Sequence, residues 1–102
     1  MIKTLKVGQT KKGSRVWLEG KALIENGFTH GTRYSINDES STAVLFVNIE
    51  GKRKVAGTIT RPIIDLLSKK NDIFTDTVQV TFNTNTIILC SRFKTFSILY
   101  AA

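Results

Sequence analysis

Apolar and polar residues alternate in short bursts along this chain, and polar turn-formers separate the bursts. Thr42-Ala43-Val44-Leu45-Phe46-Val47-Asn48-Ile49 is rich in β-branched and aromatic side chains. It lies between Asn37-Asp38-Glu39-Ser40-Ser41 and Glu50-Gly51, which predicts a strand bounded by loops. Arg33-Tyr34-Ser35-Ile36 alternates just ahead of the first of these loops, so the two segments read as a hairpin. A second hairpin is predicted from Val78-Gln79-Val80-Thr81-Phe82, the turn Asn83-Thr84-Asn85, and Thr86-Ile87-Ile88-Leu89-Cys90. Each hairpin follows a short helical candidate. Glu19 to Asn26 gathers Ala22, Leu23 and Ile24 on one side, with Gly27 as terminator. In the second half Ser68 can cap a helix over Lys69 to Phe74, and Ile63-Ile64-Asp65-Leu66-Leu67 fits either a strand or the start of that helix. Pro62 biases Arg61 toward extended backbone.

Laid together at an offset of 46, Phe28-Thr29-His30 falls on Phe74-Thr75-Asp76, and Tyr34 and Ile36 fall on Val80 and Phe82. The chain therefore reads as two tandem βαββ units, about 14–50 and about 54–91, followed by an apolar C-terminal segment, 92–102. One such unit is too small to bury its own apolar faces. Two stacked units are expected to close one small barrel within a single domain, 1–102. The expected class is mainly β with short helices.

Charge narrows the partner. Fifteen Lys and Arg stand against eight Asp and Glu, a net charge of +7. Lys3, Lys6, Lys11, Lys12 and Arg15 all precede the first acidic residue, and Lys52, Arg53, Lys54 and Arg61 form a second group with only Glu50 nearby. Clustered cations of this kind point to nucleic acid. The longest apolar run is far short of the roughly 20 residues of a membrane-spanning helix. Met1-Ile2-Lys3-Thr4-Leu5-Lys6 lacks the apolar core of a secretory signal. With one cysteine, Cys90, the chain has no internal disulfide or thiolate zinc cluster, and a cytoplasmic location is expected.

Candidate chemistry is sparse. His30 is the only histidine and reads as a turn residue, and Cys90 reads as a small buried hydrophobe at a strand end. Glu19 and Glu25, or Asp65, Asp72 and Asp76, have no metal-ligand spacing, so neither a metal site nor a catalytic constellation is predicted. Gly8 and Gly13 flank Gln9-Thr10-Lys11-Lys12, but Ser14 follows Gly13 where a phosphate loop needs lysine. The segment reads as a solvated basic loop, and no cofactor is expected. Trp17 and Tyr34 could stack bases, although their alternating strand positions favour the core.

Arg15 to Ile36 resembles the swapped-hairpin AbrB-type domain, especially its SymE-like branch, with Gly27, Phe28, Thr29, Gly31 and Thr32 matching the family's Gly-Phe-Thr-x-Gly-Thr turn. Gly27 would take the left-handed conformation that ends the helix, and Gly31 the turn before the strand. AbrB-type domains usually carry proline where Gly20 or His30 stands, and they dimerise because each chain supplies one unit; a tandem chain could form both halves itself. The chain is also similar to short segments attached to mobile-element or phage DNA methyltransferases, without their cofactor loop or Pro-Cys nucleophile. The resemblance implies a small swapped-hairpin AbrB-like barrel and, through its SymE-like branch, raises a ribonuclease activity; with one histidine and no convergent carboxylate pair, the basic chain reads instead as a nucleic-acid binder, duplex DNA above RNA, acting as a regulator or accessory factor without catalysis. Lys6, Lys11, Lys12, Lys52, Arg53, Lys54 and Arg61 are the expected phosphate contacts. Arg15 and Arg33 are the expected base readers, because guanidinium pairs bidentately with guanine.

Two alternatives stand beside this reading. One is a phage or mobile-element inhibitor of a host defence complex, an anti-CRISPR or anti-restriction factor, that binds an acidic protein surface. The other is a SymE-like toxin that targets RNA. Phe93, Phe96, Ile98, Leu99 and Tyr100 would either add a last strand or helix to the chain's own barrel or supply a homodimer contact.

Overall fold

The computed structural model describes residues 2–6, 8–10, 13–39, 42–67 and 77–90. Their elements run β1 (Ile2–Lys6), β2 (Gly8–Thr10), β3 (Gly13–Glu19), α1 (Lys21–Glu25), β4 (Arg33–Glu39), β5 (Thr42–Val47), β6 (Arg53–Lys54), β7 (Ala56–Gly57), β8 (Pro62–Leu67), β9 (Thr77–Asn83) and β10 (Thr86–Cys90). The fold is mainly β, with one short helix among the described residues. Six strands form one sheet in the order β1-β9-β10-β5-β4-β6, and four form another in the order β2-β3-β8-β7. A closed barrel, the architecture expected from the sequence, is not formed. The chain changes sheets after one residue between β1 and β2, and again between β6 and β7, and these short strands end their sheets without bridging them.

Strand formation follows the alternation. On β3, Val16 and Leu18 point inward while Arg15, Trp17 and Glu19 face out; on β8, Ile64 and Leu66 are buried and Asp65 is not. The six-stranded sheet contributes Tyr34, Ala43, Leu45, Val78, Val80, Phe82, Ile87 and Leu89 to the same core. Ala22 and Leu23 of α1, Phe28 after it, and Val55 between β6 and β7 complete the packing. Burying one such large side chain is worth about 1.5–3 kcal/mol, so these positions decide the inward face of β3, β4, β5, β8, β9 and β10.

Several sequence expectations are revised. The helix is five residues, not eight, and buries Ala22 and Leu23 while Ile24 is exposed. Gly27 does end it with positive φ, 90°, and a Cβ there would collide with the Asn85 side chain. Asn85, in the turn between β9 and β10, donates its N–H to the Asn26 carbonyl at 2.7 Å, satisfying a carbonyl past the helix end. Asn37 to Glu39 extend β4 and are not loop, and Ile63 to Leu67 are strand. The expected helix over Lys69 to Phe74, the equivalence of Phe74 with Phe28, and the C-terminal segment lie outside the described residues.

Register corrects the offset of 46. Hairpin β4–β5 closes with Glu39 opposite Thr42 and hairpin β9–β10 with Asn83 opposite Thr86, which relates residues 44 apart. Gly8 opposite Arg15 and Ala56 opposite Ile63 relate the earlier strands at 48. The two values share parity with 46, so alternation along the strands keeps the same residues facing inward. The difference between them means that four fewer residues separate the third strand from the hairpin in the second half.

Candidate nucleic-acid interface

The cations gather where the chain turns from β5 into β6. Asn48 builds that turn: its carbonyl accepts the Gly51 N–H at 2.8 Å, its side-chain oxygen accepts the Glu50 N–H at 3.1 Å, and its amide donates to Ser35 Oγ at 3.0 Å. Gly51 is buried, and a Cβ there would run into the Tyr34 backbone, so only glycine brings the following segment this close to β4. Arg53 then pairs with Tyr34 and Lys54 with Arg33 across the β4–β6 ladder. Lys52-Arg53-Lys54 is therefore more than a solvated turn.

Four cations thus share one sheet edge: Arg33, Lys52, Arg53 and Lys54. Arg33 Nη1 donates to the Gly51 carbonyl at 3.0 Å, which holds its guanidinium over the turn. Lys52 and Lys54 are exposed and make no ion pair with the described residues. Arg53 is half-buried and hydrogen-bonded to Tyr34. Burial raises the Tyr34 hydroxyl above its usual pKa, while the Arg53 charge and hydrogen bond oppose the shift. Phe28 meets the Tyr34 ring edge-on, with centroids 6.1 Å apart and planes at 69°, and so fixes the ring beneath the cations.

Two clefts open beside this ridge. One, about 290 Å³, lies between Tyr34, Lys52, Arg53, Lys54, Ala56, Ile63 and Asp65. The other, about 350 Å³, lies between Tyr34, Ser35, Ile36, Glu50, Lys52 and Arg53. Tyr34 as a cleft wall was not legible in the sequence, because its alternating position says only that it points inward.

The remaining expected contacts are placed elsewhere. Arg15 stands on the outer face of the four-stranded sheet, where Nε and Nη2 donate to the two Asp65 carboxylate oxygens at 2.9 and 2.8 Å. Its guanidinium also lies 5.3 Å from the centre of the Trp17 ring. Arg61 Nε donates to Glu19 Oε2 at 2.7 Å. That bond chiefly, with a contribution from the Trp17 indole N–H, holds the Glu19 carboxyl below its ordinary range. Lys6 lies on β1, at the opposite edge of the six-stranded sheet from β6, five strand spacings of about 4.8 Å away along the sheet. Lys11 and Lys12 lie outside the described residues.

Trp17, expected in the core, is 41% exposed because Val16 and Leu18 take the inward positions of its strand. Cys90, expected to be buried, is also exposed, since Leu89 takes the inward position. His30 is exposed in the turn before β4. Among the described residues no three His, Cys, Asp or Glu side chains gather as a metal site, and no helix is long and apolar enough to cross a membrane. Comparison with known proteins returns no match: no family model fits the chain, and neither a curated protein nor a solved structure matches it.

Proposed function

We propose that this chain binds nucleic acid, duplex DNA above RNA, through the ridge formed by Arg33, Lys52, Arg53 and Lys54, as a non-catalytic regulator or accessory factor. The observation that carries the reading is the convergence of these four cations along the β4–β6 edge of the sheet, with Lys52 and Lys54 exposed. A single ridge of this size engages three to four phosphates. Counterion release then gives a log–log salt slope of about −2.7 to −3.6, or roughly a 40- to 150-fold loss of affinity between 50 and 200 mM salt. Fluorescence anisotropy with a labelled duplex measures this directly, and binding that is flat with salt would overturn the proposal. The pairing of Arg15 with Asp65 makes Arg33 the better base reader of the two arginines, since a bidentate carboxylate competes with guanine for the same fork.

The AbrB-like, swapped-hairpin assignment is part of the same proposal. It is supported by the run β3–α1–β4–β5 and by the later run β8, β9, β10, whose hairpins lie side by side through β5 and β10. A protein partner is the second reading, favoured by the outer face of the four-stranded sheet. There an exposed Trp17 stands beside Arg15, and both residue types commonly anchor protein contacts. In that case Trp17→Ala removes the protein contact and leaves the salt slope of DNA binding unchanged.

A further inference from the structure

Register sets the cleft of about 290 Å³ against its counterpart in the other half of the molecule. Arg53 opposite Tyr34 on β6 and β4 corresponds to Leu5 opposite Val78 on β1 and β9, and Asp65 on β8 corresponds to Trp17 on β3. The fold is thus satisfied by an apolar pair at these positions: Val78 is buried and Leu5 half-buried. Nothing in the packing of strands requires a tyrosine, an arginine and a carboxylate at the equivalent places. Tyr34 and Arg53 bond each other and Asp65 is held by Arg15, so these polar groups are fixed in place around a cleft with two exposed lysines at its rim, the composition of a ligand site.

We propose, building on the nucleic-acid reading above, that this cleft receives one unpaired nucleotide of the bound strand and favours a base carrying an amino group. The volume lies at the lower end of the small-molecule range, about 300–1,000 Å³, which suits a single nucleotide. Lys52 and Lys54 meet the phosphate. Ile63 gives the base an apolar surface, and Tyr34 and Arg53 close the inner wall. Asp65 supplies the discrimination. Each of its oxygens accepts one bond from Arg15, leaving a further acceptor position on each for an exocyclic amine such as cytosine N4. Thymine offers an acceptor there, which the carboxylate repels. An extruded nucleotide already unstacked, at a bulge or strand end, enters at least cost.

The test is calorimetric titration of the whole chain with deoxycytidine monophosphate, thymidine monophosphate and inorganic phosphate, alongside anisotropy on a perfect duplex and on one with a single unpaired cytosine. The proposal expects the cytidine nucleotide to bind at least tenfold more tightly than the thymidine one or phosphate, and the bulged duplex to outbind the perfect one. Asp65→Asn should erase the preference while duplex binding persists. Ala56→Phe, an exposed position on the cleft wall that leaves the Arg15–Asp65 pair intact, should abolish mononucleotide binding and keep duplex affinity within about threefold. Equal or absent mononucleotide binding with normal duplex binding overturns this inference and leaves the surface reading standing. Cytidine nucleotide binding without preference for the bulge overturns it in favour of a free nucleotide. Loss of both mononucleotide and duplex binding in the parent overturns both readings.

Discussion

Phe28 joins the fold to the ridge, and its removal has a calculable cost. Its side chain is fully buried at the end of α1, its N–H donates to the Leu23 carbonyl at 2.8 Å, and its ring supports Tyr34 edge-on. Phe28→Ala removes a whole buried ring, for which core truncations cost about 3–5 kcal/mol. The aromatic pairing accounts for about 0.5–1.5 kcal/mol beyond area burial. Against a total stability of about 5–15 kcal/mol for a domain of this size, the variant loses a fifth or more. At roughly 4–8 °C per kcal/mol the melting temperature falls by at least about 12 °C. Circular dichroism melts of the parent, Phe28→Ala and Phe28→Leu provide the assay. Phe28→Leu retains most of the volume and should lose less than half as much. A Phe28→Ala chain that melts within about 4 °C of the parent would refute the packing described for this residue.

Other consequences follow from single contacts. Gly51→Ala forces a Cβ into the Tyr34 backbone, so it should lower the melting temperature and weaken DNA binding together, whereas Gly20→Ala, strained by its positive φ of 87° but with open space around it and away from the ridge, should lower the melting temperature and leave the binding of the folded chain unchanged. Because burial raises the Tyr34 pKa, the unfolded chain ionises first, and stability should decline as pH rises above about 10; urea melts between pH 8 and 11 should show a shallower decline in Tyr34→Phe. Glu19 has the opposite sign: its lowered pKa contributes stability that is present at neutral pH and lost as pH falls through the folded value. Trp17, the only tryptophan, reports that titration by fluorescence, and Arg61→Gln should move the midpoint upward.

The hairpins were legible because alternation is a local signal: Thr86–Cys90 has the predicted bounds, and β4, β5 and β9 differ from prediction by a few residues at their ends. Thr42–Ile49 shortened to Val47 because Asn48 hydrogen-bonds forward into its own turn, a competition that apolar content does not reveal. β6 and β7 were illegible because two-residue strands carry no periodicity and owe their existence to pairing with distant β4 and β8. Trp17 was misplaced for a different reason. Alternation gives parity but not sign, and Arg15, Trp17 and Glu19 share an outer face from which the sequence reading removed Trp17 to the core. The cation cluster around Lys52 was visible as composition, yet its union with Arg33 depended on the Asn48–Gly51 turn. The Arg15–Asp65 and Arg61–Glu19 pairs span 50 and 42 residues, a separation at which sequence spacing carries no information.

The ridge itself is tested most directly by removing charge from it and from a distant site. Anisotropy titrations of a labelled duplex between 50 and 200 mM salt should be run on the parent, on the double variant Lys52→Gln/Lys54→Gln, and on Lys6→Gln at the opposite sheet edge. With about 0.9 of slope per neutralised phosphate, the double variant should lose about 1.8 units of the log–log slope, while Lys6→Gln keeps the parent value. A double variant whose slope equals that of the parent, or a Lys6→Gln chain that loses as much, would contradict the assignment of nucleic-acid binding to this edge.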